Sequence, residues 1–219
     1  TINGAAAVLV DGVELSGAAR SLLCEAGAPP PGPTVTLRRS TVRQQGIDVR
    51  DFCVMDLDRV QLRGAASGLW VSDRTALLRV SNSLLWETKD ALAVVDGGQL
   101  AVRFSTLVNN SGPLLCAPGA GAANPSATIE DSIVFGNTKQ SGSQLGRCTL
   151  RGTVVGQGDS ASGGVAKDPV LDPSDQRLLD RPANHDCCID KALGQSPGDL
   201  LDRPRPQRQG YDRGAYELP

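Results

Sequence analysis

A repeat in the first 155 residues constrains the fold of this chain more than any other feature of its sequence. Seven short blocks share one pattern: an aliphatic residue, two mostly polar or small residues, a small or β-branched residue, a variable residue and a second aliphatic residue. A period-two strand broken by a two-residue corner has this pattern. Successive blocks are 27, 20, 23, 22, 27 and 21 residues apart. Their fourth positions are Val13, Ser40, Val60, Ser83, Ser105, Ser132 and Thr153.

The third position of each block is predicted to form the corner. In four blocks it is Gly12, Asn82, Asp131 or Gly152, residue types that tolerate the left-handed backbone of a sharp bend. The exceptions are Arg39, Arg59 and Phe104. A second column of short apolar segments follows the blocks, so each repeat is predicted to contain at least two strands. These segments are residues 22–24, 47–49, 69–71, 92–94 and 114–116.

The spacing and composition of the repeat predict an all-β fold. No repeat contains the helical stripe that leucine-rich or ankyrin arrays require. Hydrophobic residues make up 40% of the chain but aromatic residues only 3%, which favours a narrow aliphatic interior. We therefore expect residues 1–164 to form a right-handed parallel β-helix of about six to seven turns. The Pro- and Gly-rich segments 27–33 and 117–125 account for the two longest steps and are predicted to be surface loops.

Residues 165–219 depart from the repeat and carry a different set of motifs. The segment contains Asp168-Pro169, Asp175-Gln-Arg-Leu178, Cys188-Ile-Asp190 and a final Gly214-Ala-Tyr-Glu217. This tail resembles the C-terminus of choice-of-anchor Q proteins, which belong to the pectin-lyase-like superfamily of right-handed β-helices. His185-Asp-Cys187 stands where the family has Ser-Pro, and Arg203 stands where it has Gly.

The tail is predicted to be an irregular cap, which forms one structural unit with the helix. A solenoid ends in an unpaired sheet edge and an exposed interior, both of which promote aggregation. We expect Leu178, Ile189, Ala215 and Tyr216 to pack against the last turns and cover them.

Six cysteines suggest an oxidising compartment, although six allow 15 pairings. Cys24 and Cys116 share a column but lie four turns apart, roughly 19 Å, which is beyond the reach of a disulfide. Adjacent cysteines such as Cys187 and Cys188 rarely bond to each other, so we expect Cys148 to bridge to one of them. Structural zinc is disfavoured because the chain has no CxxC motif and a single histidine. Free, buried thiols are the remaining alternative.

Charge and hydropathy limit the classes of partner. The chain has 22 basic and 24 acidic residues, which argues against nucleic acid as the main partner. No run of 18 apolar residues is present, so no membrane span is predicted. The sequence starts at Thr1 without a recognisable signal peptide. We therefore expect that the sequence is trimmed from a larger protein, and that the first turn is an open edge for upstream sequence or a partner.

Outward-facing charges are predicted to form a ladder along the β-helix. The second position of each block should point outward and lie about 4.8 Å from its equivalent in the next turn. No two like charges are neighbours in this column, and opposite charges across neighbouring strands stabilise a sheet modestly. The column consists of Asp11, Arg38, Asp58, Ser81, Arg103, Glu130 and Arg151.

The resemblance to pectin-lyase-like enzymes implies a candidate site on this outer face, where such enzymes cut uronic-acid polysaccharides. A lyase needs a basic residue and neutralisation of the substrate carboxylate, and a hydrolase needs two carboxylic acids at a defined separation. Asp56, Asp58 and Arg103 are therefore the candidate catalytic residues. Arg38, Arg79, Arg103 and Glu130 are the candidate ligand-binding residues.

No cofactor is predicted, with Ca²⁺ as an alternative. The tail carboxylates Asp190, Asp202 and Asp212 are the candidate ligands, although their spacing matches no calcium motif. His185 is expected to be a surface residue rather than a general base.

Two functions remain open at this stage. The first is an exported structural or binding solenoid, with carbohydrate or a cell-surface protein as its partner. The short length of the chain, its few aromatic residues and its charge ladder favour this interpretation. The alternative is a polysaccharide lyase or glycoside hydrolase that acts on acidic polysaccharide. Both interpretations place the protein in the periplasm, in the medium or at the cell surface.

Overall fold

In a computed structural model, the described residues of the chain form an all-β parallel solenoid with one short helix. The structure describes residues 6–17, 22–26, 32–73, 75–89, 93–112, 114–117, 126–137, 147–156 and 163–219. The centres of the two predicted loops, residues 27–31 and 118–125, lie outside the described residues. Within the described part, no helix is long and apolar enough to cross a membrane.

Three parallel sheets run along the solenoid, and each of the first five turns adds one strand to each sheet. The first sheet contains β1 (Ala7–Asp11), β4 (Thr34–Arg38), β7 (Val54–Asp58), β10 (Leu77–Ser81), β13 (Gln99–Arg103), β16 (Ser126–Glu130) and β18 (Thr149–Arg151). The second sheet contains β2 (Glu14–Ser16), β5 (Thr41–Arg43), β8 (Gln61–Arg63), β11 (Leu84–Trp86), β14 (Thr106–Val108), β17 (Ile133–Phe135), β19 (Thr153–Val155) and β20 (Gly164–Ala166). The third sheet contains β3 (Leu22–Glu25), β6 (Ile47–Arg50), β9 (Leu69–Ser72), β12 (Ala93–Asp96) and β15 (Leu114–Ala117).

The parallel β-helix predicted from the repeat is confirmed, with a small difference in the number of turns. Five turns contain all three strands among the described residues, whereas six to seven turns were expected. The seven predicted blocks correspond to the seven strands of the first sheet, each followed by its second-sheet neighbour. One segment of the second column was misplaced by a residue, because Ala93, and not Leu92, pairs with Leu69.

All seven predicted corners have a left-handed backbone, including the three exceptions. Arg39, Arg59 and Phe104 have φ values of 46°, 57° and 46°. The sequence pattern did not reveal two further sets of left-handed corners, one after the second-sheet strands and one after the third-sheet strands. These further corners are Gln44, Gly64, Glu87, Asn109 and Gly136 in the first set and Asp51, Asp73 and Gly97 in the second.

The serine at the fourth position of four blocks has a specific role inside the solenoid. The Ser83 hydroxyl donates to the carbonyl of Ser81 at 2.6 Å and accepts from the backbone N–H of Val60 at 3.0 Å. The hydroxyls of Ser105 and Ser132 accept in the same way from the backbone N–H groups of the serines one turn earlier, Ser83 and Ser105. This buried serine ladder satisfies N–H groups that the sheets leave unpaired at the bend, which would otherwise carry a desolvation cost.

The interior is filled by stacked aliphatic side chains. Inward positions of the first sheet repeat in register from turn to turn, as do those of the second sheet. The first-sheet stack is Leu37, Leu57, Val80, Val102, Ile129 and Leu150, and the second-sheet stack is Val42, Leu62, Leu85, Leu107, Val134 and Val155. This narrow aliphatic core explains the low aromatic content of the chain.

The tail packs along the side of the solenoid and not only against its last turn. Leu178, Ile189, Ala215 and Tyr216 are buried, as the sequence analysis expected. They belong to one apolar cluster that runs over the outer face of the second sheet. The sheet contributes Leu84, Trp86, Val108, Ile133 and Val154 to this cluster, from the fourth to the seventh turn. The tail also contains the short helix α1 (Pro182–Cys187).

Four hydrogen bonds attach the tail to successive corners and strands. The Ser196 hydroxyl donates to Asn82 Oδ1 at 2.8 Å, and the Ala215 N–H donates to Thr106 Oγ1 at 3.0 Å. Asp131 accepts from the N–H groups of residues 193 and 194, both at 2.7 Å. The tail is thereby fixed to the fourth, fifth and sixth turns.

The six cysteines form three disulfides, and the pairing predicted for the tail is wrong. Cys24 bonds to Cys53, with 6.0 Å between their Cα atoms, and Cys116 bonds to Cys148, with 5.6 Å between theirs. Each of these bridges joins two neighbouring turns. The bridge expected from Cys148 to the tail is absent because Cys187 bonds to the adjacent residue 188, and both are buried in the apolar cluster.

Candidate binding groove on the first sheet

A groove with a cavity volume of about 680 Å³ runs across the outer face of the first sheet. The strands β7, β10, β13, β16 and β18 form its floor. Their outward side chains place charge on both of its walls. The charged residues that line this first-sheet groove are Asp56, Arg79, Arg103, Glu130 and Arg151.

The strand register aligns the outward column as the sequence predicted. Asp58 pairs with Ser81, Ser81 with Arg103 and Arg103 with Glu130. The same register puts Asp56 beside Arg79, two positions nearer the start of each strand and on the same outer face. Residues that are more than 20 positions apart in the sequence therefore become neighbours on one surface.

Each carboxylate in the groove is bound by an arginine. Arg79 Nη1 lies 3.0 Å from Asp56 Oδ1. Arg103 Nε donates to Glu130 Oε2 at 2.7 Å, and Arg151 Nη1 lies 3.5 Å from Glu130 Oε1. The side chains of Arg103 and Arg151 are 65% and 69% exposed, whereas that of Glu130 is 15% exposed. The groove therefore presents guanidinium groups to solvent and holds its acids beneath them.

The remaining candidates of the column lie beside the groove. Arg38 Nε is 3.7 Å from Asp58 Oδ2, and Asp58 also accepts from Ser81 and Asn82 at 3.2 and 3.1 Å. Asp58, one of the candidate catalytic acids, is thus held by three neighbours. Asp11 and Arg38 are neighbours in the register, as predicted, and the Asp11 carboxylate also accepts a hydrogen bond from the corner residue Arg39, which lowers the pKa of this carboxyl.

The groove has a chemistry suited to anions. Three guanidinium groups face two carboxylates, and each exposed arginine keeps N–H donors that its ion pair does not use. Guanidinium groups bind carboxylates through two parallel hydrogen bonds. An extended polymer with a carboxylate on each repeating unit would meet one arginine after another along the stacked strands.

The candidate calcium ligands are used for other contacts in the tail. Asp202 Oδ1 lies 2.8 Å from Arg59 Nη1. Asp212 accepts from the N–H groups of Asp190 and Leu218, both at 2.8 Å, and Asp190 accepts from the Gly210 N–H at 2.8 Å. Within the described ranges, no group of three or more His, Cys, Asp and Glu side chains is arranged to hold a metal ion.

His185 is a surface residue, as expected. Its Nε2 lies 2.6 Å from Asp180 Oδ1, and both side chains are about half exposed. The pKa of the Asp180 carboxyl is lowered by hydrogen bonds from Arg208 and then from His185.

Sequence reasoning omitted one residue of the groove from its candidate set. Arg151 belongs to the predicted ladder but was not singled out for binding. The position of Arg151 in the last block, directly after Glu130 in the outward column, could have identified it.

Comparisons with known proteins add no family assignment. No protein-family model matches the chain, and neither a curated protein nor a solved structure matches it significantly.

Proposed function

We propose that the chain is an exported β-solenoid module that binds acidic polysaccharide in the first-sheet groove. One observation carries this proposal: Arg79, Arg103 and Arg151 stand exposed along the floor of one continuous groove. A pocket with several guanidinium groups recognises carboxylates by paired hydrogen bonds, and the stacked strands repeat that recognition along a polymer.

The disulfides support a location outside the cytosol. All six cysteines are paired, two of the bridges link neighbouring turns, and such bonds persist in oxidising compartments. We place the protein in the periplasm, in the medium or at the cell surface, where acidic polysaccharides are found.

The hydrogen bonds that the groove carboxylates already accept favour binding over cleavage. A general acid or base must reach the substrate with its proton site available. Asp56 and Glu130 instead accept from arginines, and Asp58 accepts from Ser81 and Asn82. The alternative function, a lyase or hydrolase with Asp56, Asp58 and Arg103 as catalytic residues, is supported by the presence of acids and arginines on one face.

Retention on a panel of acidic polysaccharides tests the proposal. We expect the protein to be retarded in gels that contain polygalacturonate or alginate but not in gels with a neutral glucan, and we would repeat each measurement with and without Ca²⁺. The triple variant R79Q/R103Q/R151Q should lose retention. The matched control is Arg43→Gln, since Arg43 is also an exposed, ion-paired arginine but lies on the second sheet.

Three outcomes separate the functions. Retention of the wild type and the control but not of the triple variant supports binding in the groove. Release of unsaturated uronides or new reducing ends supports the enzyme instead. Absence of retention on every acidic polymer, or equal loss in the control, contradicts the proposed function.

A further inference from the structure

A second cleft lies at the seam between the second sheet and the tail. Its volume is about 350 Å³, within the range of pockets that hold small ligands, and it shares no lining residue with the first-sheet groove. Its walls combine two aromatic rings, two guanidinium groups and a carboxylate. Arg63 and Trp86 come from the sheet, and Asp175, Arg177 and Tyr216 come from the tail.

Arg63 covers the Trp86 ring in this seam cleft. The two residues are direct neighbours in the strand register, and the guanidinium carbon lies 4.1 Å from the centroid of the indole. The Arg63 Nε donates to Glu87 at 2.7 Å, but both of these side chains are more than two-fifths exposed. Water screens such an ion pair, so Arg63 can leave the indole face at little cost.

Trp86 also carries a buried donor without an acceptor. Its indole Nε1 is inaccessible to solvent, and no described residue accepts a hydrogen bond from it. A buried N–H without a partner is unfavourable, and such exceptions in native proteins call for an explanation. This unpaired donor marks Trp86 as a residue of the seam cleft whose contacts are incomplete.

The tail side of the cleft supplies charge and hydrogen-bonding groups. The Arg177 Nε donates to Asp175 at 2.6 Å, which orients the guanidinium at the wall of the cleft. Burial raises the pKa of the Tyr216 phenol, so this ring stays uncharged beside the two arginines. Ser174 and Gln61 add a hydroxyl and an amide to the lining.

We propose that the seam cleft binds a single hexuronic acid ring. The apolar face of the sugar replaces Arg63 on the indole of Trp86, and the sugar carboxylate is bound by Arg63 and Arg177. Asp175 and Gln61 hydrogen-bond with the ring hydroxyls. The cavity accommodates one ring, so a free monosaccharide and the end of a polymer chain are the two sources of the same chemistry.

Tryptophan fluorescence tests this site because the chain has only two tryptophans. Trp70 lies on the third sheet and is 41% exposed, so Trp70→Phe leaves Trp86 as the only emitter. We expect galacturonate or glucuronate to change the Trp86 emission in a saturable way, and we expect glucose at the same concentrations not to do so. A uronate trisaccharide distinguishes a polymer end from a free monosaccharide as the natural ligand. Tighter binding of the trisaccharide than of the monomer favours a polymer end, and equal affinity favours the free sugar.

Arg63→Gln in the Trp70→Phe background should weaken monomer binding about tenfold, since it removes a charge-assisted contact to the carboxylate. The matched control is Arg43→Gln. Arg43 occupies the same register position one turn earlier, and its Nε donates to Glu14 at 2.7 Å. This control should bind as the parent does. Unchanged far-UV circular dichroism would establish that both variants are folded.

Several results would overturn the proposal: no saturable change with either uronate, an equal response to glucose, or an equal loss of affinity in the Arg43→Gln control. The groove variant R79Q/R103Q/R151Q should bind the monomer normally, while Arg63→Gln should still be retained by polymer gels. A failure of the groove and a failure of the seam cleft are therefore distinguishable.

Discussion

The first and second sheets share one scaffold but meet their surroundings in opposite ways. Both stack parallel strands in register, and both turn aliphatic side chains into the same interior. Along the groove, the outward side chains of the first sheet are charged or short. From β11 onward, the outward side chains of the second sheet are apolar except for Thr106, and the tail covers them.

This difference shows that the outward residues decide which face of a solenoid remains open. The outward residues of β5 and β8 are still polar, for example Arg43 and Gln61. At Leu84 they become apolar, and from that turn the tail packs on the sheet. An uncovered face needs charged side chains that pair with one another, whereas a covered face needs a second apolar layer that packs on it.

A lysine on each face gives the largest expected contrast. Ile133→Lys places a charge in the apolar cluster between sheet and tail, whose members are all uncharged. We expect a loss of about 4 kcal/mol in the free energy of unfolding. Thr36→Lys on the first sheet should change it by less than about 0.5 kcal/mol. Urea unfolding measures both, and equal losses would mean that the two faces do not differ in burial.

Removal of the disulfides tests what keeps the covered face closed. The Cys116–Cys148 bridge closes a span of 32 residues, so the C116A/C148A variant should lose about 3.5 kcal/mol. The Cys187–Cys188 bridge joins adjacent residues and closes no such loop. The C187A/C188A variant should lose only about 1 kcal/mol, mainly from packing. The urea midpoint of C187A/C188A could instead fall as far as that of C116A/C148A. That result would mean that packing alone does not hold the tail.

One corner contributes more than backbone geometry, because Asp131 holds the tail. Asp131→Asn keeps a residue that tolerates the left-handed corner but leaves one of the two tail N–H groups without an acceptor. We expect a loss of about 1.5 kcal/mol. The control is Asp73→Asn at a corner of the third sheet, where the side chain accepts bonds of 3.4 and 3.5 Å from described residues. Equal thermal shifts in the two variants would remove Asp131 as an attachment point.

The open face should be the least sensitive to the loss of a contact. Arg103→Gln removes an exposed ion pair with Glu130, so the free energy of unfolding should fall by less than about 1 kcal/mol, and the difference should shrink at high salt. Denaturant titrations at low and high ionic strength measure this. A large effect that salt does not reduce would show that the ladder is structural, and that its arginines are not available to a ligand.

The fold of the first sheet was predictable because most of its strands alternate in part and all recur at similar intervals. The outward column from Asp11 to Arg151 followed from period two alone, and the observed register confirms it. The error at β12 has a clear cause. Residues 91–95 are apolar throughout, so they contain no alternation that could fix the register.

The disulfides and the position of the tail were not predictable in the same way. Cys24 lies in a strand and Cys53 follows a corner of the next turn, so an alignment by columns never brings them together. The tail has no period, and its attachments to Asn82, Thr106 and Asp131 are more than 60 positions away in the sequence. The residues of the groove could be placed from the column, but their roles in binding or catalysis stay predictions.

The attachment of the tail also has a mechanical consequence. In a solenoid each turn bonds only to the next, so a pull along the axis opens the weakest junction first. The tail crosses several of these junctions at once, through Asn82, Thr106 and Asp131. It therefore acts as a splint along the C-terminal half of the rod. Tension would separate turns that neither the tail nor a disulfide joins before it separates the turns under the splint.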